Sequence, residues 1–277
     1  MQLKIYRPLP KFPPLSLSGG RCQLNCRHCN RTYLGGMSRA DTPERLLRAC
    51  RTLEAEGALG VLLSGGSDRE GRLMNLRRML PAIRRVREET DLILNVHPGI
   101  LDRETAKALK VDFASLEIPD DTTIRKVFGL DATTGDYLTT YRHLMTAGIP
   151  VVPHVTVYNG REAALLETLD APSVIVVIVF APTRGTPMAE TPPPDAETVG
   201  RVVADLKAMH PGAEIALGCM RPKRRPLREA IERAALEAGA SRIVLPARST
   251  VALAQERGYT LTHLDACCAL PTSLENR

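Results

Sequence analysis

The stretch LSLSGGRCQLNCRHC, residues 15–29, places a short strand before a cysteine-rich loop. Apolar and polar side chains alternate from Leu15 to Ser18, as they do in a strand, and two glycines then turn the chain. Three cysteines follow with the spacing Cys22-x3-Cys26-x2-Cys29. Three thiolates can each bind one iron of a 4Fe-4S cluster and leave the fourth iron open. The spacing therefore predicts an iron-sulfur site directly after the first strand.

A structural zinc site is the alternative for this loop, because His28 lies beside Cys29 and zinc accepts both residue types. Zinc sites usually combine Cys-x2-Cys pairs from two knuckles. A histidine adjacent to one cysteine is poorly placed to share a tetrahedral site with it. The spacing favours the cluster over zinc.

The chain is basic, with a net charge of +6 from 37 basic and 31 acidic residues, and 30 of the basic residues are Arg. Such a surface could meet nucleic acid or an acidic protein. Charges scattered along a chain more often form a solvated surface. Aromatic residues make up 4% of the chain and Trp is absent, so the stacking platforms of a nucleic-acid-binding module are not expected.

The sequence gives no sign of a membrane segment. The longest apolar run, Val174 to Ala181, is too short to span a bilayer, and prolines occupy the N-terminal stretch where a signal peptide needs apolar residues. Seven cysteines, three of them within eight residues, suit metal ligation in a reducing compartment better than a disulfide framework. We expect a cytoplasmic protein.

Strand-like and helix-like segments alternate along most of the chain. This alternation predicts an α/β fold with parallel strands, and eight β/α units close naturally into a (β/α)8 barrel of the TIM type, with the site at the carboxyl ends of the strands. We predict a barrel over residues 1–259 and a C-terminal extension, 260–277, that carries Cys267 and Cys268. The predicted strands are Leu15–Ser18, Gly60–Ser64, Leu92–His97, Asp112–Ile118, Val151–Val157, Val174–Phe180, Glu214–Gly218 and Arg242–Leu245. The predicted helices are Arg45–Glu56, Asn75–Glu88, Asp102–Leu109, segments of Asp121–Ala147, Arg161–Leu169, Asp195–Met209, Leu227–Ala238 and Thr250–Arg257.

The cysteine loop resembles the signature of the radical S-adenosylmethionine (radical SAM) enzymes. In that family the open iron binds the amino and carboxylate groups of S-adenosylmethionine, and one electron from the cluster releases a 5'-deoxyadenosyl radical. The resemblance implies Cys22, Cys26 and Cys29 as ligands of the 4Fe-4S cluster. It also implies a low-potential electron donor.

The segment Ser64-Gly65-Gly66-Ser67 resembles the family's glycine motif, whose backbone lies against the methionine amino group and needs glycine for that close approach. The family often has Glu after the two glycines, where this chain has Ser67. The resemblance implies further contacts to S-adenosylmethionine near the ends of later strands. The alternatives are solvated strand-end positions for the serine and glutamate, and a core histidine on the fifth strand. The implied contact residues are His28, Gly65, Gly66, Ser67, Ser115, Glu117, His154 and Thr156.

The loop Pro182–Met188 resembles the Pro-x-x-Gly-Thr-Pro loop of the biotin synthase and lipoyl synthase-like branch. Sulfur-inserting members of that branch carry a second, auxiliary iron-sulfur cluster as the sulfur donor. Cys219, at the end of the seventh strand, and the Cys267-Cys268 pair in the polar tail are candidate ligands, and Arg221 is a candidate by analogy with biotin synthase. The alternative is that these cysteines are small buried residues, as we expect for Cys50 on the inner face of its helix.

Taken together, the motifs look most like one component of the two-protein lipoyl synthases, in which two radical SAM paralogues act on an octanoyl chain carried by a lipoyl-domain lysine. The resemblance implies sulfur insertion into that chain, with an octanoylated lipoyl carrier domain and a paralogue as partners, and without nucleic acid or membrane. Biotin synthase or another radical SAM reaction is the alternative. An iron-sulfur electron carrier is a further alternative, but it would need neither eight β/α units nor a glycine motif.

Overall fold

The computed structural model describes residues 1–275, and the chain divides into two compact units. The first, here called the cysteine-loop unit, contains Leu9–Val151 and Gly185–Met188. The second, here called the split unit, contains Met1–Pro8, Val152–Arg184 and the described residues from Ala189 onward. The split unit is therefore built from both ends of the chain.

Strands and helices alternate along the chain. The strands are β1 (Gln2–Tyr6), β2 (Pro14–Ser16), β3 (Ser38–Arg39), β4 (Gly60–Ser64), β5 (Ile93–Val96), β6 (Phe113–Glu117), β7 (Val151–Val157), β8 (Val174–Val179), β9 (Glu214–Leu217), β10 (Arg242–Val244) and β11 (Thr260–Leu264). The helices are α1 (Pro43–Ala55), α2 (Leu76–Glu89), α3 (Arg103–Ala108), α4 (Asp121–Thr123), α5 (Thr134–Thr146), α6 (Ala196–Met209), α7 (Leu227–Glu237) and α8 (Arg248–Glu256). A π-helical turn, Ile124–Phe128, continues α4, and 3-10 turns cover Thr32–Gly36, Glu162–Leu166 and Thr272–Leu274.

All the strand pairs described are parallel. In the cysteine-loop unit the strands lie in the order β6-β5-β4-β2-β3. In the split unit the order is β7-β8-β9-β10-β1-β11. The prediction of an α/β fold with parallel strands is confirmed.

Local sequence explains the regular elements. Helix α1 begins where the Thr42 hydroxyl accepts a hydrogen bond from the Arg45 N–H, with proline in the first turn. Helix α2 buries apolar side chains three or four positions apart, including Met79, Ile83 and Val86. Strand β8 is a run of valine and isoleucine that is buried almost throughout, as a parallel strand covered on both faces must be.

Four segments differ from the sequence prediction, and two of them are the unpredicted strands β3 and β11. Strand β1 falls in the proline-rich lead-in, where no strand is predicted, and it pairs with β10 and with β11 of the predicted extension. The helix predicted over 161–169 is wrong, since only a 3-10 turn forms there. The Glu162 carboxylate accepts the N–H groups of Tyr158, Asn159 and Gly160, which holds this stretch as a loop.

Within residues 1–275, none of the helices has both the length and the apolar character that crossing a bilayer requires.

Candidate metal centre

The cysteine loop starts at the carboxyl end of β2, and hydrogen bonds fix the turn that leads into it. The Ser16 hydroxyl donates to the Gly19 carbonyl at 2.7 Å. The Gly66 N–H, just beyond β4, donates to the Ser18 hydroxyl oxygen at 2.7 Å. The loop and the glycine motif therefore meet at one edge of the sheet, as expected for the ends of parallel strands.

Three side chains of the loop converge. The ligand atoms of Cys26, His28 and Cys29 all lie within 4.8 Å of one another, and the three residues are half-buried. The Arg27 N–H donates to the Val127 carbonyl at 2.7 Å, so the π-helical turn after α4 holds this part of the loop. The N–H of Cys29 donates to the Cys26 carbonyl at 3.2 Å, which closes a tight turn around the thiols.

Cys22 is held from the other side of the loop by the residue after the two glycines. The Ser67 N–H donates to the Cys22 sulfur at 3.3 Å, and the Gln23 N–H donates to the Ser67 carbonyl at 2.8 Å. These contacts fix the position of Cys22 next to the glycine motif. Ser67 thus contacts Cys22 and Gln23 through its backbone N–H and carbonyl.

The donor set fits a 4Fe-4S cluster. A hydrogen bond from Cys26 lowers the pKa of Cys29, and His28 lowers it further, while the same pair interaction raises the pKa of Cys26. The tight group contains two thiols, and Cys22 brings a third from the same short loop, which is the number that a 4Fe-4S cluster with one open iron needs. These residues suit a cluster that needs three thiolates.

His28 has the aromatic neighbours of a stacking residue. Its ring centroid lies 5.5 Å from that of Phe128 and 6.4 Å from that of Tyr33. Its Nδ1 atom is buried and makes no hydrogen bond within the described part of the chain. Its contact with adenine stays a prediction.

The glycine motif has a packing reason of its own. A Cβ on Gly66 would lie 2.1 Å from the Arg21 carbonyl oxygen and 2.5 Å from the Cys22 Cβ, and such distances are not tolerated. Gly65 has φ 153°, which side chains rarely adopt. The glycines thus let the cysteine loop approach β4, in addition to the predicted contact with methionine.

Ser115 and Glu117, predicted from strand β6, share the cysteine-loop unit with the three cysteines. The Asn95 side chain donates to the Ser115 hydroxyl at 3.0 Å, and both residues are buried. Burial raises the pKa of Tyr137, and the charges of Glu117 and then Cys26 raise it further. Glu117 and Cys26 therefore both act electrostatically on Tyr137.

Three residues near this site were missed by the sequence analysis: Asn95, His97 and Tyr137. Asn95 carried a signal, because it is the polar residue of the otherwise apolar strand β5. His97 follows that strand directly, and burial lowers its pKa to about 4, so it is a neutral imidazole at physiological pH. Tyr137 lies in a helix whose sequence gives no hint of a site.

His154 and Thr156 lie on β7 in the split unit. His154 is buried, and its Nδ1 hydrogen-bonds the Val152 carbonyl at 3.0 Å, which is the arrangement of a core histidine. Thr156 is half-buried. Their contact with S-adenosylmethionine stays a prediction.

A second set of thiols lies in the split unit. Cys267 hydrogen-bonds Cys268 and raises its pKa, and the charge of Cys219 adds to that effect. The pKa of Cys219 is itself raised, first by desolvation from the surrounding chain and then by Cys267, although the residue is exposed. The charges of Cys219, Cys267 and Cys268 thus act on one another, but among residues 1–275 their sulfur atoms do not form a group within 4.8 Å of one another, and their binding of an auxiliary cluster stays a prediction.

The expectation of an exposed polar tail is wrong at Cys268, which is 5% exposed. Arg242, fully buried on β10, donates to the carbonyls of Cys268 and Leu270, at 3.1 and 2.6 Å. It also pairs with Glu214 and, at 2.8 Å, with Glu275. This arginine fastens the tail to the sheet.

Arg221 acts as an anchor in this structure, and the binding of iron that the analogy suggests stays a prediction. It is 5% exposed and pairs with Glu232 at 2.7 Å. It donates to the carbonyls of Gly218 and Val244, at 2.7 Å each, and so holds the end of β9 against β10. Its donors are engaged by these internal acceptors.

Cys50 lies in the core, as expected. It is fully buried in α1, and burial raises the pKa of its thiol to about 12. It remains a thiol at physiological pH and takes no part in the two sets described above.

The chain is similar in sequence to two curated biotin synthases. The chain is 27% identical to biotin synthase of Citrifermentans bemidjiense over 220 residues, which are 73% of this chain and 65% of that protein. It is 25% identical to biotin synthase 2 of Paracoccus denitrificans over 224 residues, 75% of this chain and 69% of that protein. The chain thus spans about two thirds of the length of these curated relatives.

Among solved structures, methylornithine synthase has a similar fold, with a TM-score of 0.63 at 18% identity over 94% of this chain and 84% of that one. The likeness confirms the predicted radical SAM type of barrel fold. The family model described as "Radical SAM superfamily" matches residues 16–170, which include the cysteine loop and the glycine motif. With more than half of its length matched, the chain belongs to the radical SAM superfamily, which implies a 4Fe-4S cluster and S-adenosylmethionine as cofactors.

Proposed function

We propose that this protein is a radical SAM enzyme that inserts sulfur into an unactivated C–H bond of a protein-bound octanoyl chain, acting with a paralogous radical SAM protein. The observation that carries the proposal is the presence of two sets of three thiols: Cys22, Cys26 and Cys29 in one unit, and Cys219, Cys267 and Cys268 in the other. A superfamily member that only cleaves S-adenosylmethionine needs the first set alone.

When bound, the 4Fe-4S cluster supplies the electron that cleaves S-adenosylmethionine to the 5'-deoxyadenosyl radical. The chain's own part is to hold and shield the cofactor. Three thiolates bind the irons, the Ser67 N–H offsets negative charge on the Cys22 sulfur, and Gly66 lets the loop lie close to β4. The neutral side chains of Asn95 and His97 at the carboxyl end of β5 add polar groups without adding charge.

The second set would hold an auxiliary cluster that donates the sulfur. Its support is chemical: thiolates are the ligands that iron-sulfur clusters use. Cys268 is fixed by Arg242 through the backbone, and Cys219 by Arg221 through the neighbouring carbonyl of Gly218. Both segments are therefore held in place by hydrogen bonds that do not use the sulfur atoms.

Biotin synthase is the second candidate, because the curated relatives reported above carry that name. Sulfur insertion into unactivated C–H bonds is common to both candidates. What separates them is the acceptor, which is either dethiobiotin or a protein-bound octanoyl chain.

The deciding experiment is the anaerobic incubation of the reduced, cluster-loaded enzyme with an octanoylated lipoyl-domain peptide, followed by mass spectrometry. We expect one sulfur to be added by the enzyme alone and two when the paralogue is present. Conversion of dethiobiotin, with an unchanged octanoyl peptide, would reject sulfur insertion into the octanoyl chain in favour of biotin synthase activity.

A variant separates the two thiol sets. In the triple variant Cys22→Ala, Cys26→Ala, Cys29→Ala, formation of 5'-deoxyadenosine should stop, because no thiolate remains to bind the first cluster. Iron and sulfide should still be bound through the second set. Continued 5'-deoxyadenosine formation would refute the first assignment, and a folded variant without iron would refute the second.

A further inference from the structure

The densest basic run of the chain follows directly after Cys219. Residues 221–228, RPKRRPLR, contain five basic residues and no acidic one. Basic residues are scattered along most of the chain, but they are clustered in this segment. Lys223, Arg224 and Arg225 are exposed, whereas Arg221 is buried.

Much of this charge is not neutralised by the protein itself. Arg221 and Arg228 share Glu232, and Arg225 pairs with Glu229 at 2.8 Å. Within residues 1–275, no carboxylate lies within ion-pair distance of Lys223 or Arg224. An exposed loop with unpaired cations attracts an anionic surface.

The loop is held rigidly. The Val179 N–H donates to the Met220 carbonyl at 2.9 Å, and the Arg228 N–H donates to the Arg224 carbonyl at 3.0 Å. The Arg221 side chain fixes the start of the loop through Gly218. A preformed charged surface loses less entropy on binding than a flexible one does.

An exposed leucine lies beside the same strand end. Leu245 is 51% exposed and has φ 46°, a left-handed backbone that is unusual for a residue other than glycine. Its carbonyl accepts hydrogen bonds from Arg221 at 3.3 Å and Arg228 at 2.5 Å, which hold the backbone in place. The Arg221 side chain also donates to the carbonyl of Gly218, so one side chain holds both Leu245 and the residue directly before Cys219.

We propose that Lys223, Arg224 and Arg225 form the docking surface for an acidic carrier domain, and that Leu245 contacts the aliphatic chain which that domain delivers to the Cys219 thiol set. The cations match an anionic protein surface, and the leucine matches a lipid-like acyl chain. The inference rests on the proposed function, since that function names an acyl chain on a carrier domain as the substrate.

The test is direct binding, so that it does not depend on catalysis. The cluster-loaded enzyme is titrated with an octanoylated lipoyl domain. The triple reversal Lys223→Glu, Arg224→Glu, Arg225→Glu should weaken binding by about tenfold or more, since like charges would then face each other. The affinity of the unaltered enzyme should fall with added salt, because exposed charges are screened over about 8 Å at physiological ionic strength.

A matched control reverses three exposed cations of helices or loops in the cysteine-loop unit. Arg48, Arg84 and Lys110 are exposed and form none of the ion pairs described, so the change in net charge is the same. This control should keep the affinity of the unaltered enzyme. If the charge reversal fails to fold, the neutral triple variant with Gln at 223, 224 and 225 replaces it. That variant should bind the octanoylated domain more weakly than the unaltered enzyme, with a smaller loss of affinity than the reversal would cause.

Two further arms test the nature of the partner. Leu245→Ser should weaken binding of the octanoylated domain and leave binding of the unacylated domain unchanged. Equal affinity of the reversal and the control for the octanoylated domain would overturn the proposal. So would tighter binding of a mixed-sequence RNA that the reversal abolishes, because the loop would then serve nucleic acid. If the domain binds as expected but no sulfur is inserted, the docking surface stands and the proposed reaction fails.

Discussion

Replacement of Arg242 by methionine tests how the tail that carries Cys267 and Cys268 is held. The arginine is fully buried and pairs with Glu214 and Glu275. Removing it leaves two carboxylates with Lys4 as their remaining cation, together with the Cys268 and Leu270 carbonyls that lose a donor.

The size of the effect follows from burial. Breaking a buried ion pair by removing one partner costs about 3–5 kcal/mol. Lys4 still neutralises part of the charge, and the Glu214 side chain is 28% exposed, so we expect the lower end, about 3 kcal/mol. Arg257→Met is the control, because its pair with Glu237 is exposed on both sides and is worth about 0–1 kcal/mol.

The measurement is urea-induced unfolding of the cluster-loaded protein, followed by circular dichroism. Alkylation of thiols, mapped by mass spectrometry, gives a second readout: Cys268 should react faster in the variant, and the buried Cys50 should not. If Arg242→Met does not fold, Arg242→Lys should show a smaller loss, because an ammonium keeps the charge and lacks the planar fork. Free energies of unfolding equal to those of the unaltered protein, with Cys268 still protected, would refute the reasoning.

Three other changes give separate tests. Gly66→Ala should lower the iron bound per chain, because the new Cβ would lie 2.1 Å from a carbonyl oxygen of the cysteine loop. Gly20→Ala is the control, because a Cβ at that position would have no atom within 4 Å. Equal iron contents of the two variants would contradict this prediction. His97→Gln should flatten the pH dependence of the unfolding free energy. The folded pKa of His97 is about 4, below the unfolded value of about 6.5. The stabilising contribution of neutral His97 is therefore fully present above a pH of about 6.5 and is lost as the pH falls towards 4. Parallel curves for the two proteins would show that His97 does not titrate in this way. Asp195→Ala should cost about 1 kcal/mol in urea denaturation, because the carboxylate caps the start of α6; an unchanged midpoint would show that the cap contributes nothing.

The parts of the fold that depend on local sequence could be predicted. Val174–Val179 is apolar at every position, and a run of this kind can only be a buried strand or helix segment. The cysteine spacing and the double glycine are likewise local, so the first thiol set and its contact with β4 followed from a single stretch of chain.

The parts that depend on distant partners could not be predicted. The proline-rich lead-in gives no sign of the strand Gln2–Tyr6, in which Lys4 is buried because Glu214 and Glu275 pair with it. The acceptors that engage Arg221, at Val244 and Glu232, likewise cannot be identified from the residues around it. Polar residues in buried positions depend on contacts that sequence order does not reveal.

The split unit has a consequence for how the protein is made. Strand β1 is synthesised before the other strands described, whereas its two neighbours, β10 and β11, come more than 230 residues later in the chain. The cysteine-loop unit is nearly continuous from residue 9 to 151, and domains tend to fold in the order of synthesis. The loop with Cys22 can therefore take shape on a nascent chain, whereas Cys267 and Cys268 reach their places only after the chain has been synthesised past residue 268. The two thiol sets should mature at different times, and iron delivered early in synthesis can be captured only by the first.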